Sequence, residues 1–157
     1  RASGGDLLAL RPALEAREPW PLSAAYGTEP EADWGPREVL AHVNEMLGYW
    51  TTELRRVVAA APGAAPVPFG RVASDANRID RIARDRELTV GELLRRIEAG
   101  LGDAAAFVDP LTDDDLARLG AHPTRGDISV GMSLDRFIVS HLEEHVRQLR
   151  GILDATG

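Results

Sequence analysis

The 157-residue chain carries 18 basic and 25 acidic residues, which gives a formal net charge of −7. This acidic balance argues against nucleic acid as a partner, because polyanion binding depends on cationic contacts. The chain has no cysteine, so disulfides and protein thiolates are excluded and any thiol chemistry would need a soluble cofactor.

Length and hydropathy predict one domain without a membrane-spanning helix. The composition is 44% hydrophobic but only 5% aromatic, which predicts helices packed through aliphatic side chains in a single domain over residues 1–157. No apolar run approaches the ~20 residues that a membrane-spanning helix needs. No segment has the pattern of a leader, and we therefore expect a cytoplasmic protein.

Helical periodicity runs through almost the whole chain, and strand-like alternation is scarce. The first predicted helix spans Asp6 to Ala16, where Pro12 either kinks the helix or marks a start at its first turn. The loop that follows contains Trp20, Pro21, Gly27 and Pro30. The second and longest helix is predicted to open at Gly35-Pro36 and to close before Pro62.

The second helix has one apolar stripe and a histidine beside it. The stripe consists of Val39, Val43, Met46, Trp50, Leu54 and Val57. His42 lies on the shoulder of this stripe, one turn before Met46. The pattern therefore predicts an imidazole that leans toward the core.

Loops and helices alternate in the next part of the chain. The breaker content of residues Ala61 to Gly70 predicts a loop that crosses one end of the fold, and a short polar helix follows from about Ser74 to Arg86. The run from Thr89 to Glu92 reads as a capping box that opens the third long helix. The predicted buried side of that helix consists of Leu93, Leu94, Ile97, Leu101 and Val108.

Three shorter features precede the last helix. Asp109-Pro110 ends the third long helix, and Thr112 to Leu119 is predicted to make another short helical turn. Residues Gly120 to Gly126 are predicted to form a loop. His122, followed by Pro123 in this loop, has no helical partner and is expected to be exposed.

The last helix, from near Ser129 to Gly157, places polar side chains inside its apolar stripe. At about 100° per residue the stripe consists of Leu134, Phe137, Ile138, Leu142, Leu149 and Ile152. His141, His145 and Gln148 fall within it. Four substantial helices with longer connections between some of them predict an all-α fold, a four-helix bundle with long crossing loops, which is a fold that builds metal sites from facing helices.

A buried imidazole needs a partner, and a metal ion would satisfy several at once. Because His141 and His145 lie one turn apart, they share a face and can ligate one ion, and His42 from the second helix would complete a three-imidazole site with open positions. Zinc or nickel would suit such ligands. The alternative is an ordinary hydrogen-bonded pair of interior histidines.

Two known motif classes fit less well. Residues 141–145 match the H-x-x-E-H string of inverted zincins, but only twelve residues follow His145, whereas such peptidases draw a further ligand from well downstream. The Glu-x-x-His motif of di-iron bundles is absent, because no carboxylate stands three residues before His42, His141 or His145.

Further side chains are candidates for the surroundings of the site. Glu45 and Glu144 are either carboxylates that orient an imidazole or solvated charges, and Glu45 is the residue expected to close a purely structural site. Gln148 either bonds a ligand or metal-bound water, or bonds a neighbouring helix. Trp50 either walls the pocket or fills the core. The polar helix offers Asn77 and Arg81, with Arg78 and Arg84, as a clamp for a carboxylate or as exposed ion pairs with the interleaved aspartates.

Two motifs resemble the DinB/YfiT-like superfamily of metal-binding four-helix bundles. Residues 34–42, Trp-Gly-Pro-Arg-Glu-Val-Leu-Ala-His, are similar to the W-x-x-x-E-V-L-x-H pattern that begins the second helix in that superfamily. Residues His141 to Leu149 are similar to its closing H-x-x-x-H-x-x-Q-L. The resemblance covers the chain from about Leu7 to Leu153.

This resemblance implies that His42, His141 and His145 bind a divalent metal, and that a low-molecular-weight thiol such as mycothiol or bacillithiol is the cofactor. Isomerase-type members often have Glu where this chain has His141, which disfavours maleylpyruvate isomerisation. The expected function is a metal-dependent transferase that delivers an activated thiol to an electrophilic small molecule. A noncatalytic, stress-related bundle that binds a metal or small molecule, and a metal-dependent hydrolase, remain alternatives. Families of this type commonly form homodimers, so a homodimer is a further expectation.

Overall fold

The computed structural model describes residues 2–61 and 63–156, which form a mostly helical fold with one small sheet. The α-helices are α1 (Ala2–Leu8), α2 (Arg11–Glu15), α3 (Pro36–Val58), α4 (Ala76–Asp85), α5 (Val90–Val108), α6 (Asp113–Ala117), α7 (Val130–Leu134) and α8 (His141–Ala155). A 3-10 turn spans Glu31–Asp33, and a π-helical segment spans Asp135–Ser140. The strands are β1 (Val67–Pro68), β2 (Leu119–His122) and β3 (Gly126–Ser129). The helical prediction is confirmed, and the sheet adds to it.

The N-terminal region forms two short helices where the sequence predicts one over Asp6 to Ala16. Helix α1 ends at Leu8, and Pro12 lies in the first turn of α2. Proline is tolerated there because the first backbone N–H groups of a helix have no intrahelical partner. Of the two readings of Pro12, the start of a helix is therefore the one that the fold adopts.

Helix α3 is the centre of the fold and begins where the sequence predicts. Gly35 caps it with an extended backbone, and Pro36 takes the first helical position. All six apolar residues of the predicted stripe are buried. Because Leu40, Ala41 and Leu47 are buried as well, the helix packs on more of its circumference than one stripe would allow. It ends at Val58; Pro62, like Arg1 and Gly157, lies outside the described residues.

Helices α4 and α5 confirm the predicted elements with adjusted edges. Thr89 caps α5 by accepting a hydrogen bond from the backbone N–H of Glu92, while the Glu92 carboxylate pairs with Arg95 and Arg96. Leu93, Leu94 and Ile97 are fully buried, but the prediction for Val108 is wrong. Val108 is exposed at the last residue of the helix, and the buried side continues through Ala104 and Phe107 instead.

The three-stranded sheet, ordered β1-β2-β3, lies where the sequence predicts loops. Strand β1 pairs in parallel with β2, and β2 forms an antiparallel hairpin with β3. The hairpin brings His122 to 6% exposure against the rings of Trp50 and Phe137. The expectation of an exposed His122 is therefore wrong, because strand pairing gives this part of the chain tertiary contacts that a free loop would lack.

The last helix runs from Val130, capped by the Ser129 hydroxyl, to Ala155, with the π-helical segment inside it. The wider π turn shifts the phase of the residues beyond it relative to a uniform 100° per residue. Ile138, Leu142 and Leu149 of the predicted stripe are buried, as are Val146 and Leu153, which the stripe omits. The π segment ends directly before His141.

A single apolar cluster joins α1, α2, α3, α5 and the last helix. Helix α3 packs against both α5 and α8, and α1 packs against α8. None of the described helices combines the length and the apolar character needed to cross a bilayer. The core therefore holds α3 and α8, the two helices that carry the predicted histidines, in fixed positions relative to one another.

Candidate metal centre

The three predicted histidines meet at one end of the α3–α8 contact. The Nε2 atoms of His42 and His141 are 2.9 Å apart, and the ring centroids of His42 and His145 are 5.1 Å apart. Glu31, on the 3-10 turn that precedes α3, faces all three rings. One ligand atom from each of these four residues lies within 4.8 Å of the others.

Gln148 fixes the orientation of His145. The Nδ1 atom of His145 is 3.1 Å from the amide oxygen of Gln148, and since that oxygen can only accept, Nδ1 carries the hydrogen. In the neutral ring Nε2 of His145 is then an unprotonated acceptor, buried toward the cluster and with no hydrogen-bond partner among the described residues. A buried acceptor without a partner is costly, and a metal ion would remove that cost.

Burial keeps two of the imidazoles neutral. Desolvation, together with the nearby His145 and Arg78, lowers the pKa of His42 well below 6.5. Desolvation and the neighbouring His141 likewise lower the pKa of His145 to about 4. Because neutral imidazole is the form that ligates metals, these two side chains are in their binding form at neutral pH.

Glu31 is held between the histidines and an arginine. Its Oε2 is 3.4 Å from Nε2 of His141 and 3.6 Å from Nε2 of His145, while its Oε1 is 2.5 Å from Nη2 of Arg78. Burial alone would raise the pKa of Glu31, but His141, His145 and the Arg78 guanidinium hold it below its usual value. The carboxylate is therefore ionised and adds a negative charge to the cluster.

A cavity of about 530 Å³ opens onto the cluster. Glu31, His42 and His141 form part of its wall, so a small molecule that enters it reaches the histidines. Trp50 and Phe137 line another part, with their rings stacked at 4.0 Å and nearly parallel. The cavity lies within the size range of small-molecule sites.

The donor atoms of the four side chains lie close enough together to share one divalent ion. Metal bonds of about 2.0–2.1 Å give ligand–ligand distances of about 3.3–3.4 Å at tetrahedral angles. The His42 and His141 nitrogens are 2.9 Å apart, which is hydrogen-bond distance. Oε2 of Glu31 is 3.4 Å from Nε2 of His141 and 3.6 Å from Nε2 of His145, while its other oxygen, Oε1, is 3.6 Å from Nε2 of His42. The donor set of imidazoles and one carboxylate is one that zinc and related divalent ions accept.

A comparison with known proteins identifies the family of the chain. The family model described as the DinB superfamily matches residues 9–149. The chain belongs to the DinB superfamily. The match confirms the resemblance drawn from the two histidine motifs. Searches of curated proteins and of solved structures gave no match.

The other predicted candidates of this DinB-superfamily chain occupy varied positions. Glu144 is exposed at the cavity rim, and Trp50 both lines the cavity and packs in the core. Glu45 is fully buried and ion-pairs with Arg71, so the carboxylate of the cluster is Glu31 and not Glu45. Asn77 and Arg81 are exposed on α4, and Arg78 from the same helix lines the cavity instead.

The sequence does not point to Glu31, and it offers Arg78 only as one of several arginines on the polar helix. Glu31 lies in a loop whose only regular structure is one 3-10 turn, so periodicity carries no information about its direction. Arg78 shares its helix with Arg81 and Arg84, and only packing distinguishes them: Arg78 is 5% exposed, while the other two are exposed.

Proposed function

We propose that this DinB-superfamily protein binds a divalent metal through His42, His141 and His145 and uses it to activate a low-molecular-weight thiol for transfer to an electrophilic small molecule. The observation that carries the metal site is the buried, unpartnered Nε2 of His145, oriented by Gln148 toward two further imidazoles. Zinc and nickel are the metals that we favour, because imidazole ligands suit both.

The thiol in this proposal comes from a separate molecule, because the chain has no cysteine. A divalent metal held by the histidines would lower the pKa of a thiol that reaches it. The residues of the chain do the rest: Gln148 fixes the ring of His145, the cavity admits the small molecules, and the Trp50–Phe137 stack offers a flat apolar wall. Mycothiol, which the family resemblance implies, is one candidate cofactor.

A second candidate, a noncatalytic metal site, is favoured by the position of Glu31. With Glu31 as a fourth ligand the site would have a full tetrahedral set of protein donors, as structural zinc sites do. Glu31 does not lie on a long helix, and its side chain is 32% exposed. We favour the open site because a substrate would have to displace Glu31, and the fold holds Glu31 less firmly than the three histidines on their long helices.

Metal content is the first measurement. Protein purified without chelator and without nickel affinity resin is compared with His42→Ala and His141→Ala by elemental analysis, with His122→Ala as a matched control, since His122 is also buried but lies outside the cluster. We expect near-stoichiometric metal in the native protein and the control, and its loss in both site variants. Retention of metal in the site variants would contradict the three-histidine site.

Thiol binding separates the two candidates. Cobalt(II) replaces zinc in such sites, and a thiolate that reaches it produces a sulfur-to-cobalt charge-transfer band. We expect 2-mercaptoethanol to produce this band in the cobalt-loaded protein, saturably and in competition with other small anions. A cobalt spectrum that thiols leave unchanged would support the closed, noncatalytic site.

The finer expectations about architecture and setting belong to the same proposal. We propose that the α1–α2 pair, α3, α5 and the last helix correspond to the four helices of a DinB-type bundle, since these elements share one apolar cluster. The single domain over residues 1–157, the homodimer and the cytoplasmic location stay predictions.

A further inference from the structure

Arg78 is the most deeply buried charged side chain on the wall of the cavity. Its side chain is 6% exposed. The guanidinium is held in place by the backbone carbonyls of Gly27 at 3.3 Å and Ala73 at 3.1 Å, and it lies over the ring of Trp34. These contacts come from three different segments, so the position of the positive charge beside the cluster is fixed before any ligand arrives.

The guanidinium of Arg78 forms an ion pair with one oxygen of Glu31. Nη2 of Arg78 is 2.5 Å from Oε1, which is also the oxygen that faces His42 at 3.6 Å. Oε2 faces His141 and His145. Arg78 therefore competes with a metal for Oε1, and it withdraws electron density from the whole carboxylate, which lowers the strength of Glu31 as a ligand.

Arg78 would also stabilise Glu31 once the carboxylate had left the cluster. A part-buried carboxylate without a partner is costly, but the ion pair with Arg78 persists when Oε2 swings away. The two effects act in the same direction. Arg78 weakens the attachment of Glu31 to a metal, and it provides the charge partner that the displaced carboxylate needs.

We infer that Arg78 is a positioning residue that keeps Glu31 a weak and displaceable fourth ligand, so that the site accepts a small monoanion such as a thiolate in its place. The exchange is balanced in charge, because one anion leaves the cluster for Arg78 as another enters from the cavity. This inference rests on the proposed function. It also explains how a site with four protein donors within reach of one ion remains open to a substrate.

The test uses the cobalt-loaded protein, with 2-mercaptoethanol as the probe and two readouts: cobalt affinity by competition with a chromogenic chelator, and the dissociation constant of the thiol from the charge-transfer band. In Arg78→Gln, Glu31 loses its competing partner, so cobalt should bind several-fold more tightly and the thiol about tenfold more weakly. Glu31→Gln should show the opposite pattern. Arg81→Gln, an exposed arginine on the same helix, should match the native protein.

The double variant shows whether Arg78 acts through Glu31. In the Glu31→Gln background, Arg78→Gln should change the thiol dissociation constant less than about twofold, because the carboxylate it acts on is gone. A tenfold effect that persists in that background would overturn the inference, as would weaker cobalt binding in Arg78→Gln. Near-ultraviolet circular dichroism checks that each variant is folded, and Arg78→Lys, which keeps the charge, should lie between Arg78→Gln and the native protein.

The two proposals fail in different ways in this experiment. If the native protein binds no cobalt, or binds cobalt but gives no thiol band, the proposed function fails and the inference falls with it. If cobalt and thiol both bind but Arg78→Gln leaves both affinities unchanged, only the role of Arg78 is refuted.

Discussion

Gln148 joins two parts of the candidate metal centre, and replacing it should weaken metal binding more than its position outside the ligand set suggests. Its amide oxygen accepts from Nδ1 of His145, and its amide nitrogen donates to the backbone carbonyls of Glu31 and Trp34. Gln148→Ala removes both connections. His145 is then free to take the other tautomer and a different ring angle.

The expected losses of metal affinity and of stability in Gln148→Ala follow from the two connections that the amide makes. Partners that orient a metal-ligating histidine typically contribute about 10–100-fold in metal affinity, which is about 1.4–2.7 kcal/mol. The metal-free protein also loses hydrogen bonds on both sides of the amide, at about 1 kcal/mol each. A loss of about 2 kcal/mol should lower Tm by roughly 4–8 °C in a chain of this size.

A conservative variant separates the two roles of the amide. Gln148→Glu keeps an acceptor for Nδ1 of His145, but its carboxylate cannot donate to the carbonyls of Glu31 and Trp34. We expect Gln148→Glu to bind zinc about as well as the native protein, because the tautomer of His145 is retained, while Gln148→Ala binds it about 10–100-fold more weakly. Both variants should lose thermal stability in the metal-free form.

Zinc affinity is measured by competition with a chromogenic chelator at pH 7, and Tm by circular dichroism on metal-free protein. Equal zinc affinity in the native protein and Gln148→Ala would refute the argument that this amide prepares His145 for a metal. Equal losses in Gln148→Ala and Gln148→Glu would show instead that anchoring the turn at Glu31 matters more than the tautomer.

Three further predictions concern protonation and backbone geometry. Burial holds the pKa of His145 at about 4, against an ordinary 6.5, so the protein takes up a proton on unfolding at pH values between these two. The free energy of unfolding of the metal-free protein, measured in urea, should therefore fall by about 3 kcal/mol from pH 6.5 to pH 4, beyond any fall seen in His145→Gln. The lowered pKa values of His42 and His145 also mean that neither ring should release a proton when zinc binds at pH 7. Titration calorimetry in buffers of different ionisation enthalpy should therefore detect less than one proton released per zinc bound. Release of two or more protons would contradict neutral rings. Gly70 has φ +83°, and an added Cβ would lie 2.5 Å from Cδ2 of His122. Gly70→Ala should therefore destabilise the fold by about 2 kcal/mol in the same unfolding assay. Gly48 lies in a helix with open space around it, so Gly48→Ala should stabilise the fold by about 0.5–1 kcal/mol.

Helices with one buried face could be predicted from the sequence because burial and periodicity agree in them. The stripe from Val39 to Val57 is buried as predicted, and the motif spacing that placed His42, His141 and His145 in one site is matched by the geometry. Glycine and proline at positions 35 and 36 also mark the start of α3 within a residue. These signals are local, so a single sequence carries them.

Features that depend on contacts distant in sequence could not be read in the same way. The two-residue strand β1 exists only because it pairs with β2, more than fifty residues later in the chain. The hairpin carried one usable signal: Gly126, with φ +69°, ends its turn. The π-helical segment before His141 has no periodic signature, although it leaves the His141 side chain 28% exposed at the cavity while His145 is buried.

The candidate ligands also differ in how firmly the fold holds them. The histidines lie on helices that the core holds rigidly, whereas Glu31 lies on a short turn tied down by Gln148 and Arg78. A ligand set in which three donors are fixed and one is tethered by breakable contacts suits exchange of that one donor. Under the proposed function, whether the site is open or closed therefore depends on how strongly Glu31 would hold an ion, and we infer that Arg78, which forms an ion pair with that carboxylate, sets that strength.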